Sequence, residues 1–222
     1  MFQSNTKGHL PLLGMVVDQL SDRNRILDIG CGDGSLIFSL ADALRTATFL
    51  GVDMDAENIR SATTSARQNI RFEHADYLTL VCARKFDAAV SHSTLHTMPI
   101  DDPLQLFKKI AEDMDTGGVL AATIPYRCLK NSILVFFRRL AAKVRTPLLD
   151  EIIIQIGSLA TRMPKSMRSD RVQYMYSVPS FVLTERLLQQ MPLAGFEISA
   201  VLDYPSQSLF QLSHKILIAH RT

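Results

Sequence analysis

Tryptophan is absent from the 222 residues, and cysteine occurs only three times, at Cys31, Cys82 and Cys128. None of the three forms a C-x-x-C pair or falls at metal-ligand spacing, which excludes a disulfide framework and gives no metal site. A reducing cytoplasm is the expected compartment. No apolar run approaches the ~20 residues that a bilayer-spanning helix needs. The apolar residues 10–17 are too few, and no small-residue cleavage site follows them, so no signal peptide is expected. Excess charge is lacking as well: 24 Lys/Arg against 22 Asp/Glu leave a net charge of +2, too small to imply nucleic-acid binding by itself. Internal repeats and low-complexity tracts are also missing. What remains, 47% hydrophobic and 21% charged residues, is a globular composition. A chain of this length buries a full core as one domain, so residues 1–222 are expected to form a single unit.

Along the chain, short apolar runs alternate with helical stripes. Residues 10–20 read as a helix. Residues 25–29 read as a buried strand ending in glycines, and residues 35–44 carry Leu36, Ile37, Leu40, Ala43 and Leu44 at helical spacing. Strand readings follow at 48–52, 70–73, 86–90 and 119–124, with a helix at 56–68. A second helix is announced by Asp101, Asp102 and Pro103 and is expected to end at Gly117-Gly118. Strand and helix in alternation predict an α/β fold with a doubly wound, mostly parallel sheet of seven strands. After Pro125 the rhythm breaks. Residues 132–144 and 148–160 read as helices of a cap inserted at about 127–171, over the carboxyl edge of the sheet, where ligands bind in such folds. A helix at 181–190 and strands at 196–202 and 209–219 complete the sheet. The last two strands, joined without a helix, are expected to pair antiparallel. The interruption is basic: residues 127–171 hold ten Lys/Arg against three Asp/Glu, a local charge of +7 that leaves the rest of the chain at −5.

The sharpest feature is Asp28-Ile29-Gly30-Cys31-Gly32-Asp33-Gly34. A glycine turn between a strand and a helix lets backbone approach a ligand closely. The dinucleotide pattern G-x-G-x-x-G fails here, because Ser35 stands at the third glycine position. The spelling is D-x-G-x-G-x-G. It resembles the first motif of the class I S-adenosylmethionine (SAM) methyltransferases, and later features follow in the family's order. Asp53 closes the second strand; Ala75-Asp76-Tyr77 follows the third; Phe86 to Val90 and then Ser91 to His96 resemble the fourth strand and its loop. The resemblance covers residues 20–125 in detail and 178–220 in outline, and it implies SAM as cofactor. It places Asp53, with Met54 beside it, at the ribose, and Asp76, with Tyr77, at the adenine. Gly30, Cys31 and Gly32 lie along the aminobutyrate chain, Ser91 and His92 beside the sulfonium, and Asp28 behind the turn or at the substrate ammonium.

Other candidates rest on position. His96 flanks the expected reaction site as a general base or as a loop contact. Tyr176 follows the cap and is read as lining the pocket or as packing; Asn131 opens the cap and is a weaker catalytic candidate. Lys7 and His9, ahead of the first helix, are read as contacts to the SAM carboxylate or as surface residues, and Ser206, Gln207 and Ser208 in the last loop are weaker pocket candidates. His214 and His220 read as structural. Phe136-Phe137 and the isoleucines 152–154 are expected to pack cap on body and to dry the site. Arg138, Arg139, Lys143, Arg145, Arg162, Lys165, Arg168 and Arg171 form either a solvated face or a surface for an anionic substrate or acidic carrier protein.

The leading function is methyl transfer from SAM to a small molecule, possible acceptors including anionic or carrier-bound ones. The alternative is attack at the SAM γ-carbon, by aminocarboxypropyl transfer or by cyclisation to azetidine-2-carboxylate, releasing methylthioadenosine. A third class is a non-catalytic partner on the same fold. No metal, nucleic-acid or membrane partner is expected, and the N-P-P-[YF] motif of amino-methyltransferases acting on bases or glutamine is absent after the fourth strand. Oligomeric state is not legible.

Overall fold

Short apolar segments, four of them with at least four consecutive buried residues, set the strands. In the computed structural model, which describes residues 10–160, 176–205 and 211–222, these are β1 (Arg25–Ile29), β2 (Thr48–Asp53), β3 (Ile70–His74), β4 (Phe86–His92), β5 (Met114–Pro125), β6 (Phe196–Asp203) and β7 (His214–Arg221). They form one sheet in the order β3-β2-β1-β4-β5-β7-β6. Strands β1 to β5 pair in parallel, whereas β7 runs antiparallel to both β5 and β6. The doubly wound, seven-stranded α/β sheet and its antiparallel last strand are as the sequence predicts.

Alternate side chains of each strand enter cores on opposite faces, as parallel sheets require. On one face Leu27, Ile29, Ala89, Leu120 and Leu217 meet helix α4 (Pro103–Glu112) through Leu106, Phe107 and Ile110. On the other, Ile26, Ala88, Val90, Ala121 and Ile218 meet α1 (Leu10–Leu20) and α2 (Ser35–Ala43). Helix α3 (Ala56–Thr64) starts where the Asp55 carboxylate accepts the Glu57 and Asn58 amides, and α4 where Asp102 accepts the Leu104 amide ahead of Pro103. The Asp87 carboxylate accepts the amides of Asn24 and Arg25, both at 2.8 Å, which pins the start of β1 to β4.

Several boundaries differ from the sequence reading, β5 beginning at Met114 and β7 only at His214 among them; three helix ends differ for a local reason. Helix α3 stops at Thr64 rather than 68, where Thr63 and Thr64 turn their hydroxyls back onto the carbonyls of Ile59 and Ser61, both at 2.7 Å. Helix α4 ends at Glu112, well before Gly117-Gly118, because Met114 already pairs with Phe86; Gly117, at φ 78°, lies inside β5. The helix expected at 181–190 is shorter, α7 (Glu185–Gln190), because Leu183 forms a bridge to Tyr126 and Thr184 then caps the helix on the Leu187 amide.

After β5 come α5 (Leu129–Lys143) and α6 (Pro147–Ala160). The junction is held by Asn131, only 3% exposed. Its Nδ2 donates to the carbonyls of Tyr126 (2.7 Å) and Ser213 (2.8 Å), and its Oδ1 accepts the Ser213 amide at 2.7 Å. Both amide hydrogens are used on backbone, so the catalytic role expected of Asn131 gives way to that of a clamp between the end of β5, α5 and the start of β7. Asn131→Ala strands buried backbone groups and should cost about 3 kcal/mol. Urea unfolding should show a lower midpoint at unchanged slope; an unchanged midpoint refutes the clamp.

Candidate active site

Chain direction across the sheet reverses between β1 and β4, and ligands of open α/β sheets bind outside the carboxyl ends at that point. Both strand ends carry irregular backbone here. Gly30, Gly32 and Gly34 have φ of 75°, 55° and 78°, and Ser93 after β4 has φ 59°. A Cβ on Gly30 would lie 2.0 Å from Thr94 Cγ2, so the two strand exits approach only because residue 30 lacks a side chain. Beyond Gly32 there is nothing within 4 Å of a built Cβ; that side faces open space.

The amides of the turn point inward. Gly30 and Cys31 donate to the Val52 carbonyl (2.8 and 3.1 Å), Gly32 to Asp53 Oδ2 (2.8 Å) and Gly34 to the Cys31 carbonyl (3.0 Å). The turn is therefore a rigid wall rather than an anion-binding nest. Together with Leu36, Asp53, His92 and Thr94 it encloses a cradle of about 250 Å³. Among the described residues three acidic side chains, Asp28, Asp33 and Asp53, line that cradle, and no lysine or arginine does.

Asp28 is 1% exposed, and neither carboxyl oxygen has a hydrogen-bond partner. Burial, and then the nearby Asp53, pushes its pKa up to about 8, so at neutral pH it is largely an uncharged acid. Asp53 is tied at both oxygens: Oδ2 accepts Gly32 and Oδ1 accepts the Asp55 amide at 2.9 Å. Burial pushes the Cys31 thiol upward, leaving an inert packing group.

The structure brings Asp28, Gly30, Cys31, Gly32, Asp53 and His92 to one cradle. His92 Nε2 stands 3.1 Å from the Tyr204 hydroxyl. Met54 and Asp76 do not line the cradle: Met54, 62% exposed, follows Asp53, and half-buried Asp76 follows β3, its Oδ1 accepting the Leu78 amide at 2.9 Å. Other expected side chains are turned elsewhere. The Tyr77 hydroxyl donates to Asp113 at 2.9 Å under Lys109, in the packing against α4. The Ser91 hydroxyl donates to the Ile29 carbonyl at 2.8 Å and links β4 to β1. Tyr176 is buried beneath the Arg145 guanidinium, 4.7 Å from its ring centre, rather than in the cradle. His96 is 1% exposed; burial, then the adjacent His214, pulls its pKa down to about 3. Such a weak and enclosed base has little driving force for proton abstraction. Arg138, expected on the surface, is 4% exposed and donates to the Ser177 carbonyl at 3.0 Å. Lys7, His9, residues 206–208 and Arg162, Lys165, Arg168 and Arg171 lie outside the described residues.

Asp33, Leu36 and Thr94 line the cradle without having been singled out. Asp33 is the variable position of the glycine motif and Leu36 belongs to the α2 stripe, so both were within reach of the sequence. Thr94 carries no sequence signal; the kink at Ser93, whose amide donates to Thr123 Oγ1 at 2.7 Å, brings it in. Among the described residues no group of three His/Cys/Asp/Glu is arranged to hold a metal.

Asp28 sets a pH dependence. Its folded value of about 8 lies above the ordinary 3.8, so between those values the folded chain keeps a proton that the unfolded chain has lost. The stability from that proton is complete below about pH 4 and is lost as pH climbs to about 8. Asp28→Asn keeps the shape without titrating. Its melting midpoint relative to the native chain should rise steadily from pH 5 to pH 8 in thermal scans; a difference independent of pH refutes the buried, protonated acid.

Comparison with known proteins adds to this geometry. The methyltransferase domain family matches residues 26–118. Trans-aconitate 2-methyltransferase of Deinococcus radiodurans is 35% identical over 101 residues, 46% of this chain and 38% of that protein. An uncharacterized methyltransferase of Mycobacterium bovis is 39% identical over 98 residues, 43% of this chain and 48% of that protein. The chain thus spans less than half the length of these curated relatives. Among solved structures, magnesium protoporphyrin IX methyltransferase from Synechocystis PCC 6803 with bound SAH superposes with a TM-score of 0.64 at 19% identity, covering 97% of this chain and 84% of that one. The N-methyltransferase NodS from Bradyrhizobium japonicum, in complex with S-adenosyl-L-homocysteine, gives 0.61 at 12% identity, with 99% and 89% covered. The methyltransferase domain match runs from β1 into β5, and the seven-stranded sheet has the fold of solved methyltransferases.

Proposed function

We propose that this protein transfers a methyl group from SAM to a small molecule bearing an anionic group. One observation carries the reading: among the described residues the cradle is lined by three acidic side chains, Asp28, Asp33 and Asp53, and by no lysine or arginine. Such a lining repels a pyrophosphate and favours a ligand with an ammonium, a sulfonium and paired hydroxyls. Asp28, unpartnered and buried, suits the ammonium. Each Asp53 oxygen accepts one backbone amide and keeps a second acceptor direction for a ribose hydroxyl. Asp76 and Met54 extend the same sheet edge toward an adenine. His92 and Thr94, across from the glycine turn, are placed to border the sulfonium.

SAM supplies an electrophilic methyl on sulfur. The acceptor's lone pair forms the new bond, the sulfur keeps the old bonding pair, and S-adenosylhomocysteine leaves. An acceptor carboxylate attacks as the anion, which agrees with the buried His96 being a poor base. The relatives named trans-aconitate 2-methyltransferase support an acceptor with carboxylates, as does the segment 127–149, with six Lys/Arg and no Asp/Glu. Catalysis then rests on holding acceptor and methyl in line and on excluding water.

Calorimetry should show SAM binding to the native chain and at least tenfold weaker binding to Asp53→Ala, which loses charge-assisted hydrogen bonds of about 1.5–3 kcal/mol each. Unchanged affinity in that variant removes the ribose assignment. Product analysis by mass spectrometry should give S-adenosylhomocysteine only when a carboxylate acceptor is present. Enzyme-dependent methylthioadenosine from SAM alone would instead establish attack at the γ-carbon.

A further inference from the structure

Helix α5 is built inside out. The side chains it buries against the body are polar: Asn131 and Arg138, 3% and 4% exposed and seven residues apart. Leu134 and Val135 are half-buried beside them, but most of its large apolar side chains face away. Leu129, Ile133, Phe136, Phe137, Leu140 and Val144, the last just past its end, are between 47% and 77% exposed. At 3.6 residues per turn these six fall within an arc of roughly 100°. Leu148 and Ile152 of α6 are exposed as well, at 71% and 45%. Isolated surface leucines need no explanation, but a continuous apolar arc of this kind marks an interaction site.

The flanks of the arc are basic. Lys130 borders one side, Arg139 and Lys143 the other, and no Asp or Glu occurs between residues 127 and 149. The rotation of the helix is locked, since Asn131 holds the Tyr126 and Ser213 backbone and Arg138 the Ser177 carbonyl. Rolling the apolar arc inward would break all of these contacts.

We propose that α5 lies in the plane of an anionic lipid bilayer surface, its apolar arc in the boundary between headgroups and acyl chains and its flanking cations among the phosphates. Charge decides between occupants. A second copy of this chain would set the same basic flank, with no acid in residues 127–149, against the first, the acids that follow in α6 being engaged locally, Asp150 by Arg145 and Glu151 by Gln155; an anionic bilayer complements it. Length agrees: 15 residues extend about 22 Å, too short to span a bilayer but long enough to lie on one. Among the described residues no helix is long and apolar enough to cross a membrane. The sequence expectation of no membrane partner rested on spanning segments alone, and an in-plane helix escapes that criterion. The exposed Phe136 and Phe137 replace the cap-on-body packing expected of them.

The test is co-sedimentation of the full chain with vesicles of phosphatidylglycerol and phosphatidylcholine, against phosphatidylcholine alone. The native chain should partition onto the anionic vesicles, and less so as salt is raised. Phe136→Glu with Phe137→Glu should lower partitioning at least tenfold; Arg139→Gln and Lys143→Gln should each lower it about fivefold. Circular dichroism and SAM titration should be unchanged in all variants, which separates this proposal from the cofactor reading. No partitioning of the native chain, or equal partitioning of the Phe136/Phe137 variant, overturns it. So does light scattering that shows a native dimer made monomeric by the same two substitutions, because the arc would then belong to a second copy.

Discussion

The cradle depends on one steric fact: residue 30 has no side chain. Thr94 occupies the space that a Cβ there would need, 2.0 Å from its Cγ2, and φ at Gly30 is 75°. This approach sets the exits of β1 and β4 against each other at the point where the sheet changes direction. The Thr94 hydroxyl lies 3.2 Å from the Gly30 carbonyl and continues the contact. From there the turn uses its own amides to anchor itself on Val52 and Asp53, so the shape of the site is fixed before any ligand arrives. A preformed wall of this kind lowers the ordering that binding must otherwise impose.

Rigidity has an electrostatic counterpart. Asp28 is held in the wall without a hydrogen-bond partner, and its uncharged state is the response of an acid to burial beside another carboxylate. A bound cation would reverse that preference and draw the proton off. Just past the carboxyl end of β4, His96 and His214 are also neutral; their rings are 5.3 Å apart, and burial leads the causes that pull both down, with Arg138 close by. The two groups act on stability in opposite directions. The histidines weaken the fold as pH falls below their ordinary 6.5, toward about 3 and 4, whereas Asp28 weakens it as pH rises toward 8.

Glycines with positive φ, acids at strand ends and the alternation of elements are coded by residue type and order. For that reason the sheet, the turn and Asp28, Asp53 and His92 could be read from the sequence. Side-chain direction is coded far less. Tyr77, Ser91, Asn131 and Tyr176 all stand at positions near the carboxyl edge, yet each spends its polar group or ring on neighbours set by tertiary packing. His96 shows the same limit in another form: its place after β4 was legible, but its burial against His214, 118 residues later, was not. Thr94 went unmarked because its approach to Gly30 arises from a backbone kink that the sequence does not announce.

Helix α5 shows how polar contacts can override hydrophobic patterning. Its apolar stripe, read alone, predicts burial of Phe136 and Phe137 against the body. The opposite orientation satisfies the carbonyls of Tyr126, Ser213 and Ser177 and the Ser213 amide, all at the seam where β5, β7 and the chain after residue 176 meet. Leaving these groups unpaired would cost on the order of 1–3 kcal/mol apiece, which is comparable to what burying one phenylalanine or leucine contributes. Polar pairing at the seam therefore competes with apolar burial on even terms, and the exposed arc keeps its own driving force for whatever surface the protein meets.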